Sequence, residues 1–299
     1  MTRTVQVQCP AKINLFLEIT GKKKNGYHTL ASLFAKVGVF DVIDAEITEG
    51  RDFDFEIKNE TDQTLKAGPD NLVCKAAAAF RKKFDVGVGV RIVLTKRIPM
   101  GAGLGGGSSD AAGTLIALAR LFHMRLDRKL SAALKKMALE LGADVPFFVR
   151  PEALCDGRGV GEKLTPVEIG GNMPWIILVF PNKIVTTGPV FRRLVLPQKE
   201  DVLTRLSHLD TLKKKLGKGR PISEWKGLLF NRLEEAVLDV HPEVRQAKNI
   251  LTRLDVKGVL MSGSGAAVFG FVSSRKQGED VLKRLQGYPW KAYLTCCVG

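Results

Sequence analysis

The chain has 299 residues, 45% hydrophobic and 26% charged, enough apolar side chain for a core without disulfides or metals, which excludes a disordered chain. Its five cysteines (Cys9, Cys74, Cys155, Cys296, Cys297) show no C-x-x-C spacing, which excludes zinc and dithiol redox motifs and reads as reduced thiols in a cytosol. The formal charge of +15 attracts anions of any kind, but the runs Lys22-Lys23-Lys24 and Lys213-Lys214-Lys215 lack interleaved aromatics for base stacking, so they read as solvated faces and no nucleic-acid partner is expected.

In chain order, Met1-Thr2-Arg3-Thr4 leads straight into alternating sequence and no apolar run approaches the ~20 residues of a membrane span, so a soluble cytoplasmic protein with no membrane partner is expected. Val5 and Val7, then Ile13, Leu15, Leu17 and Ile19, keep a period of two that predicts half-buried strands broken near Pro10. Lys24-Asn25-Gly26 reads as a tight turn. Phe53, Phe55 and Ile57 alternate with Asp54, Glu56 and Lys58, and Val90, Ile92 and Leu94 alternate likewise; both predict strands of one mixed sheet, with an alanine-rich helix over 71–83 between them. A helix over 111–122 follows, with Ser108, Ser109 and Asp110 as capping choices, and Asp127 caps another that ends by Gly142. The apolar run 175–180, ended by Pro181, predicts a buried strand opening a second unit. The basic, weakly patterned stretch 195–226 reads as an insertion or mobile loop. Helices over 242–254 and 277–285 flank strands at 259–261 and 266–272, which surround a glycine-rich turn.

The chemistry concentrates in the run Pro99-Met100-Gly101-Ala102-Gly103-Leu104-Gly105-Gly106-Gly107-Ser108-Ser109-Asp110. Glycines let backbone N–H groups approach an anion, and a helix beginning near Ser109 aims its positive end at the same place, so the run has the physics of a phosphate cradle. It is not a P-loop, because glycine stands where G-x-x-x-x-G-K-[ST] needs lysine. Gly101-x-Gly103-x-x-Gly106 also matches the dinucleotide fingerprint, but the acidic residue that should end a strand about 20 positions on is absent; Asp127 opens a helix instead. A purely structural glycine turn stays open on this pattern alone.

The run is similar to the phosphate loop of the GHMP kinases. Two other signatures of that superfamily stand in order, Pro10-Ala11-Lys12-Ile13-Asn14-Leu15 and Met261-Ser262-Gly263-Ser264-Gly265-Ala266. Within it, the opening block with Thr20-Gly21 and Gly26-Tyr27-His28-Thr29-Leu30, together with Leu141-Gly142-Ala143-Asp144-Val145-Pro146-Phe147-Phe148, resembles the 4-diphosphocytidyl-2-C-methyl-D-erythritol kinases of non-mevalonate isoprenoid biosynthesis. The matched blocks span nearly the whole chain.

This resemblance implies an α+β (mixed α/β) fold with a ribosomal-protein-like N-terminal lobe and a ferredoxin-like C-terminal lobe, here placed at 1–165 for ATP binding and 166–299. It implies transfer of the γ-phosphoryl of ATP, carried with Mg²⁺, to an alcohol, with Pro99, Gly101, Gly103, Leu104, Gly105, Gly106, Gly107, Ser108 and Ser109 holding ATP. Such a transfer needs a group to take the hydroxyl proton and positive charge nearby. By resemblance Asp144 is the base, while Lys12 keeps it ionised and polarises the hydroxyl. Taken singly, Asp144 also reads as a loop carboxylate satisfying backbone N–H groups, and Lys12 as a lysine snorkelling from a strand.

Tyr27 and His28 become, by resemblance, the stacking ring and the hydrogen-bonding edge of a cytosine pocket, with Phe191 on the other face, and Asn14 and Thr187 reach substrate. Gly188, beside Thr187, departs from the family's pattern, as does the turn Arg150-Pro151-Glu152. Ser109 is the metal candidate, with most oxygen ligands coming from ATP and water. The rival expectations are a GHMP-type kinase for another small alcohol, which has no use for Tyr27-His28, and a basic nucleic-acid-binding protein on a kinase-like scaffold. Oligomeric state is not legible.

Overall fold

The computed structural model describes residues 4–24 and 26–299, and the chain forms two compact units that interleave along the sequence. The first comprises 1–11, 39–99 and 105–151; the second comprises 12–38, 100–104 and 152–299. Strands β1 (Thr4–Lys22) and β2 (His28–Thr48) each contribute residues to both. The predicted turn between them includes Asn25, which lies outside the described residues. Its flanks are closed by the Lys23 N–H donating to the Tyr27 carbonyl (2.7 Å) and the Gly26 N–H to that of Lys23 (3.0 Å).

The alternation 5–19 forms one strand, not two broken at Pro10. The small strand that flanks β1 opposite β2 reaches it only at Phe16 and Leu17, so proline's missing donor falls where β1 has no second strand partner among the described residues.

In the first unit, β3 (Phe53–Asn59) runs parallel to β4 (Gly89–Lys96), which pairs antiparallel with β2 from Val42↔Thr95 to Thr48↔Gly89. Between them α1 (Leu72–Phe84) starts where the Asn71 side chain accepts from the Val73 N–H. Helix α2 (Gly106–Leu121) begins earlier than the serines and aspartate expected to cap it; Gly105 is its N-cap and supplies no side chain. Ser108, Ser109 and Asp110 therefore lie inside the first turns, which corrects the capping expectation. Gly113 lets α2 lie against β1, since a Cβ there would come 2.1 Å from Cys9 Sγ. Helix α3 (Arg128–Leu141) is capped as predicted by Asp127, which accepts from Leu130, and gives way at Gly142 to the short α4 (Val145–Phe148).

In the second unit, β5 (Leu154–Arg158) pairs antiparallel with β2 and with β6 (Lys163–Pro166). The buried strand predicted at 175–180 is β7 (Trp175–Phe180), buried from Ile176 to Phe180 and followed by α5 (Thr187–Arg193). The expected loop at 195–226 is instead largely helical, with α6 (Lys199–Gly217) and α7 (Ile222–Trp225). Three buried leucines, Leu209, Leu212 and Leu216, form a narrow apolar stripe, and Lys213 ties α6 to β5 through Asp156 at 2.6 Å. Charges paired in this way mask the helical period in the bare sequence. Next come β8 (Phe230–Asn231), parallel to β1, then α8 (Glu234–Val237) and α9 (Pro242–Arg253). Strands β9 (Lys257–Met261) and β10 (Val268–Val272), helix α10 (Arg275–Leu285) and β11 (Lys291–Thr295) complete the chain. An antiparallel sheet in the order β11-β7-β10-β9, with α9 and α10 against it, forms the ferredoxin-like lobe that the motifs implied.

Candidate active site

Period-two alternation on β1 puts Lys12 and Asn14 on the face opposite Ile13 and Leu15. Lys12 is only 5% exposed, too deep for a lysine snorkelling to water. Its Nζ donates to Asn14 Oδ1 (2.7 Å), Asn14 Nδ2 to Ser32 Oγ (2.8 Å), and Ser32 to the Phe16 carbonyl (2.7 Å). The Lys12 ammonium also lies 5.7 Å from the centroid of the Phe34 ring, and the Lys12 N–H donates to the carbonyl of Leu104 in the glycine run (2.9 Å).

Residues 100–104, the first half of that run, are seated on the second glycine-rich turn. Gly103 has φ +73°, and a Cβ on it would lie 2.1 Å from the Ser262 carbonyl oxygen. The Ser262 hydroxyl donates to the Gly103 carbonyl (3.1 Å), and the Ala267 N–H donates to that of Ala102 (3.0 Å). Gly101, at φ +61°, accepts from the Val185 N–H (3.2 Å) and leaves no room for a Cβ beside Ile184. Gly263 carries the contact to Lys12: a Cβ on it would stand 3.1 Å from Lys12 Nζ, 3.2 Å from the Gly103 carbonyl and 3.3 Å from Asn14 Oδ1. Lys12, Asn14, Gly103, Leu104 and the turn are thus brought together.

The proposed base-binding residues form another group in the same unit. The His28 and Phe191 rings stack with centroids 5.0 Å apart, the Thr187 and Ser264 hydroxyls are hydrogen-bonded at 3.0 Å, and Tyr27 is 66% exposed. Burial, and then the nearby Lys22 charge, lower the His28 pKa below its ordinary value, which favours a neutral imidazole able both to donate and to accept.

In the first unit, Gly105 (φ +69°) turns the chain into α2, whose first N–H groups have no intrahelical acceptors and carry the positive end of the helix dipole. Pro99 is buried ahead of this start; Gly107 is exposed upon it, Ser108 is half-buried, and Ser109 is buried, its Oγ without a hydrogen-bond partner among the described residues. Under Gly106 lies a group that sequence reasoning missed. Lys96 Nζ donates to Asp41 Oδ2 (2.5 Å) and Asp110 Oδ2 (2.7 Å), and a Cβ on Gly106 would come 2.8 Å from that nitrogen. Asp41 Oδ1 also accepts from the Arg97 and Ile98 N–H groups, closing the end of β4.

Two carboxyl groups thus share one ammonium out of water. Burial pushes Asp110 up to about 8, opposed by Lys96 and reinforced by Asp41. For Lys96, burial works downward, but Asp110 and Asp41 outweigh it and hold the ammonium above its ordinary range. The signal was parity, because residue 96 continues the inward series 90, 92, 94 and residue 41 the inward series 41, 43, 45. Asp144 follows the Gly142 cap of α3 and opens α4; it is half-buried, and its side chain makes no capping bond to that helix.

Known proteins match most of this chain. The GHMP kinases N terminal domain family matches residues 71–151, and the GHMP kinases C terminal family matches 210–289. A 4-diphosphocytidyl-2-C-methyl-D-erythritol kinase of Shewanella loihica is 35% identical over 283 residues, 95% of this chain and 90% of its own length. The chain belongs to this kinase family. A crystal structure of a 4-(cytidine 5'-diphospho)-2C-methyl-D-erythritol kinase superposes with TM-score 0.78 at 32% identity, covering 99% of this chain and all of that one. A homoserine kinase from Cytophaga hutchinsonii superposes as well, at TM-score 0.79 and 16% identity over 99% of this chain and 95% of its own. The GHMP fold therefore does not select the acceptor alcohol; the side chains around it must.

Proposed function

We propose that this protein transfers the γ-phosphoryl group of ATP to the 2-hydroxyl of 4-diphosphocytidyl-2-C-methyl-D-erythritol, a step of non-mevalonate isoprenoid biosynthesis. The observation that carries phosphoryl transfer is the buried Lys12 ammonium, hydrogen-bonded to Asn14 and packed on Gly263, on a strand whose backbone holds the glycine run at Leu104. The acceptor rests on the full-length likeness to kinases of that name, with Tyr27, His28 and Phe191 available for a pyrimidine.

The start of α2 accepts the phosphates on its free N–H groups, with Gly105, Gly106, Gly107, Ser108 and Ser109 around them, while Pro99, Gly101, Gly103 and Leu104 shape the approach. Asp144 takes the hydroxyl proton, and Lys12 polarises the hydroxyl and offsets negative charge on the reacting oxygens. Asn14 orients Lys12 and meets the substrate from the same strand. Tyr27 and Phe191 cover the two faces of the base, neutral His28 reads its edge, and Thr187 reaches the substrate. Positioning and charge balance carry the rate, with no covalent intermediate.

Mg²⁺ accompanies ATP. The buried, partnerless Ser109 Oγ is a neutral oxygen donor suited to it, and the described residues hold no cluster of three or more carboxylate, histidine or cysteine groups, so nucleotide and water oxygens would complete its shell. Residues 1–165 carry the ATP site and 166–299 the second domain. The reaction calls on no nucleic acid and no membrane, and we place it in the cytoplasm; among the described residues no helix is long and apolar enough to cross a bilayer.

The test is ADP release by the purified protein with ATP, comparing the cytidyl substrate, methylerythritol phosphate and mevalonate. Turnover confined to the first is expected. Equal turnover on all three, or none on the first, overturns the assignment.

A further inference from the structure

The turn that seats Lys12 is itself held by a residue outside every recognised motif. Asn231, on the two-residue strand β8, is 2% exposed. Its Nδ2 donates to the carbonyls of both Met261 (2.8 Å) and Gly263 (2.7 Å), and its Oδ1 accepts from the Leu233 N–H (3.0 Å). Every hydrogen-bonding atom of the carboxamide is used, and the two acceptors on one side and the donor on the other fix which end is nitrogen. The backbone of β8 is anchored in turn, since the Arg232 N–H donates to the Leu17 carbonyl on β1 (2.8 Å). Met261 is gripped from a further side, its N–H donating to Glu234 Oε1 (2.8 Å).

The two carbonyls that Asn231 grips bracket Ser262, whose own hydroxyl holds Gly103, and the second belongs to Gly263, where an added Cβ would stand 3.1 Å from Lys12 Nζ and 3.3 Å from Asn14 Oδ1. Turning the Gly263 peptide would leave its buried carbonyl unpaired and shift the surface against which the ammonium lies. We propose that Asn231 is a positioning residue of the phosphoryl transfer: its carboxamide locks the 262–265 turn so that Gly263 holds the Lys12 ammonium in place. Asn231 touches neither nucleotide nor acceptor and acts through Lys12, so the inference rests on the catalytic reading of Lys12.

The test compares Lys12→Met, Asn231→Ala and Asn231→Asp in the full-length enzyme. It reads kcat per ATP-binding site from nucleotide titration, KM for ATP and for the cytidyl substrate, thermal midpoint, and the pH profile of kcat. Aspartate keeps the shape and the Leu233 acceptor, but its carboxylate cannot donate to two carbonyls. Its kcat per site is expected to fall about 30-fold or more near pH 8, with KM for ATP within about threefold, because the loss concerns orientation and not nucleotide contact. Lowering the pH protonates that carboxyl and restores one donor, so the deficit relative to wild type should shrink toward pH 6. Asn231→Ala should show the loss without the recovery, and Asn231→Ser replaces Asn231→Asp if the latter does not fold.

A merely structural residue would lower the thermal midpoint and the number of ATP-binding sites while leaving kcat per site and the shape of the pH profile unchanged; that result overturns the proposal. So does a loss confined to KM. Lys12→Met inactive beside normal Asn231 variants refutes the role of Asn231 alone, whereas normal turnover by Lys12→Met overturns the reading of Lys12 and this proposal with it.

Discussion

Gly107→Ala separates a glycine kept for a ligand from one kept for the fold. Gly107 lies in the first turn of α2, exposed, without a left-handed backbone, and the nearest foreign atom to an added Cβ is Leu72 Cδ1 at 3.6 Å, an ordinary contact. Nothing in the protein itself forbids alanine. Replacing a helical glycine with alanine should stabilise by about 0.5–1 kcal/mol, through the lost freedom of the unfolded chain, which raises the thermal midpoint by roughly 1–4 °C. The same methyl group would stand on the surface where phosphate oxygens approach the helix start. Displacing one hydrogen bond to a charged oxygen forfeits about 1.5–3 kcal/mol, or about 10–100-fold in kcat/KM for ATP. Thermal unfolding followed by circular dichroism and a coupled ADP assay with ATP titrated measure the two numbers on one preparation. A stabilised variant whose kcat/KM for ATP stays within about twofold of wild type would refute the cradle at Gly107. Gly106→Ala cannot make this distinction, because its Cβ would meet Lys96 Nζ at 2.8 Å and the fold itself must give.

Asp144→Asn should lower kcat by about 10²–10⁴-fold while ATP still binds in calorimetry, and near-normal turnover would remove Asp144 as the base. Tyr27→Ala, at a residue 66% exposed, should leave the thermal midpoint unchanged and raise KM for the cytidyl substrate about 5–100-fold, the worth of one base stacked on a ring; an unchanged KM would place the base elsewhere. Burial followed by Lys22 holds the His28 pKa below 6.5, so the imidazole is neutral at pH 7; KM for the same substrate should rise as pH falls below that range, and His28→Asn should flatten the rise. For Asp110 the sign is opposite to that of an ordinary ion-paired carboxylate. Its folded pKa of about 8 lies above the unfolded value, so its stabilisation is complete below about pH 4 and is lost as pH rises toward 8, at no more than about 1.4 kcal/mol per pH unit. The thermal midpoint should therefore fall between about pH 6 and 8 in wild type and fall less in Asp110→Asn; parallel curves would show that Asp110 ionises alike in both states.

What could be read from the bare chain was whatever local rules alone decide. Asp127 announced α3 because a capping side chain acts within three residues of itself, alanine content announced α1, and β3 kept a clean period because one of its faces is half-buried and the other exposed. Where tertiary partners decide, the reading went astray. Pro10 counts as a strand breaker only if its N–H is needed, and the reach of β8 determines that. The 199–217 segment hides its period because Lys213 is neutralised by Asp156, 57 positions away. The start of α2 was placed too late because glycines are poor helix formers and no cap precedes them. Lys96 and Asp41 lay on the inward parity of their strands and could have been found, whereas Asn231 sits on a two-residue strand with no period to betray it.

The glycine run, which resembles a single phosphate-binding device, is made of residues with different reasons to be glycine. Gly103 answers to the Ser262 carbonyl and Gly106 to the Lys96 ammonium; Gly107 meets only an ordinary contact with Leu72 among the described residues. Only the last kind of constraint is left for a ligand, so on the proposed reading the loop encodes its anion mainly at the start of α2. The remainder encodes the neighbours that keep the loop in shape. On the proposed reading those neighbours also carry chemistry: the Gly103 and Leu104 carbonyls meet the turn and the strand that place Lys12, and Lys96 binds Asp110 within α2. Substitutions at Gly103 and Gly106 should therefore lower stability and activity together, and the separation of the two effects at Gly107 is what distinguishes a phosphate cradle from a structural turn.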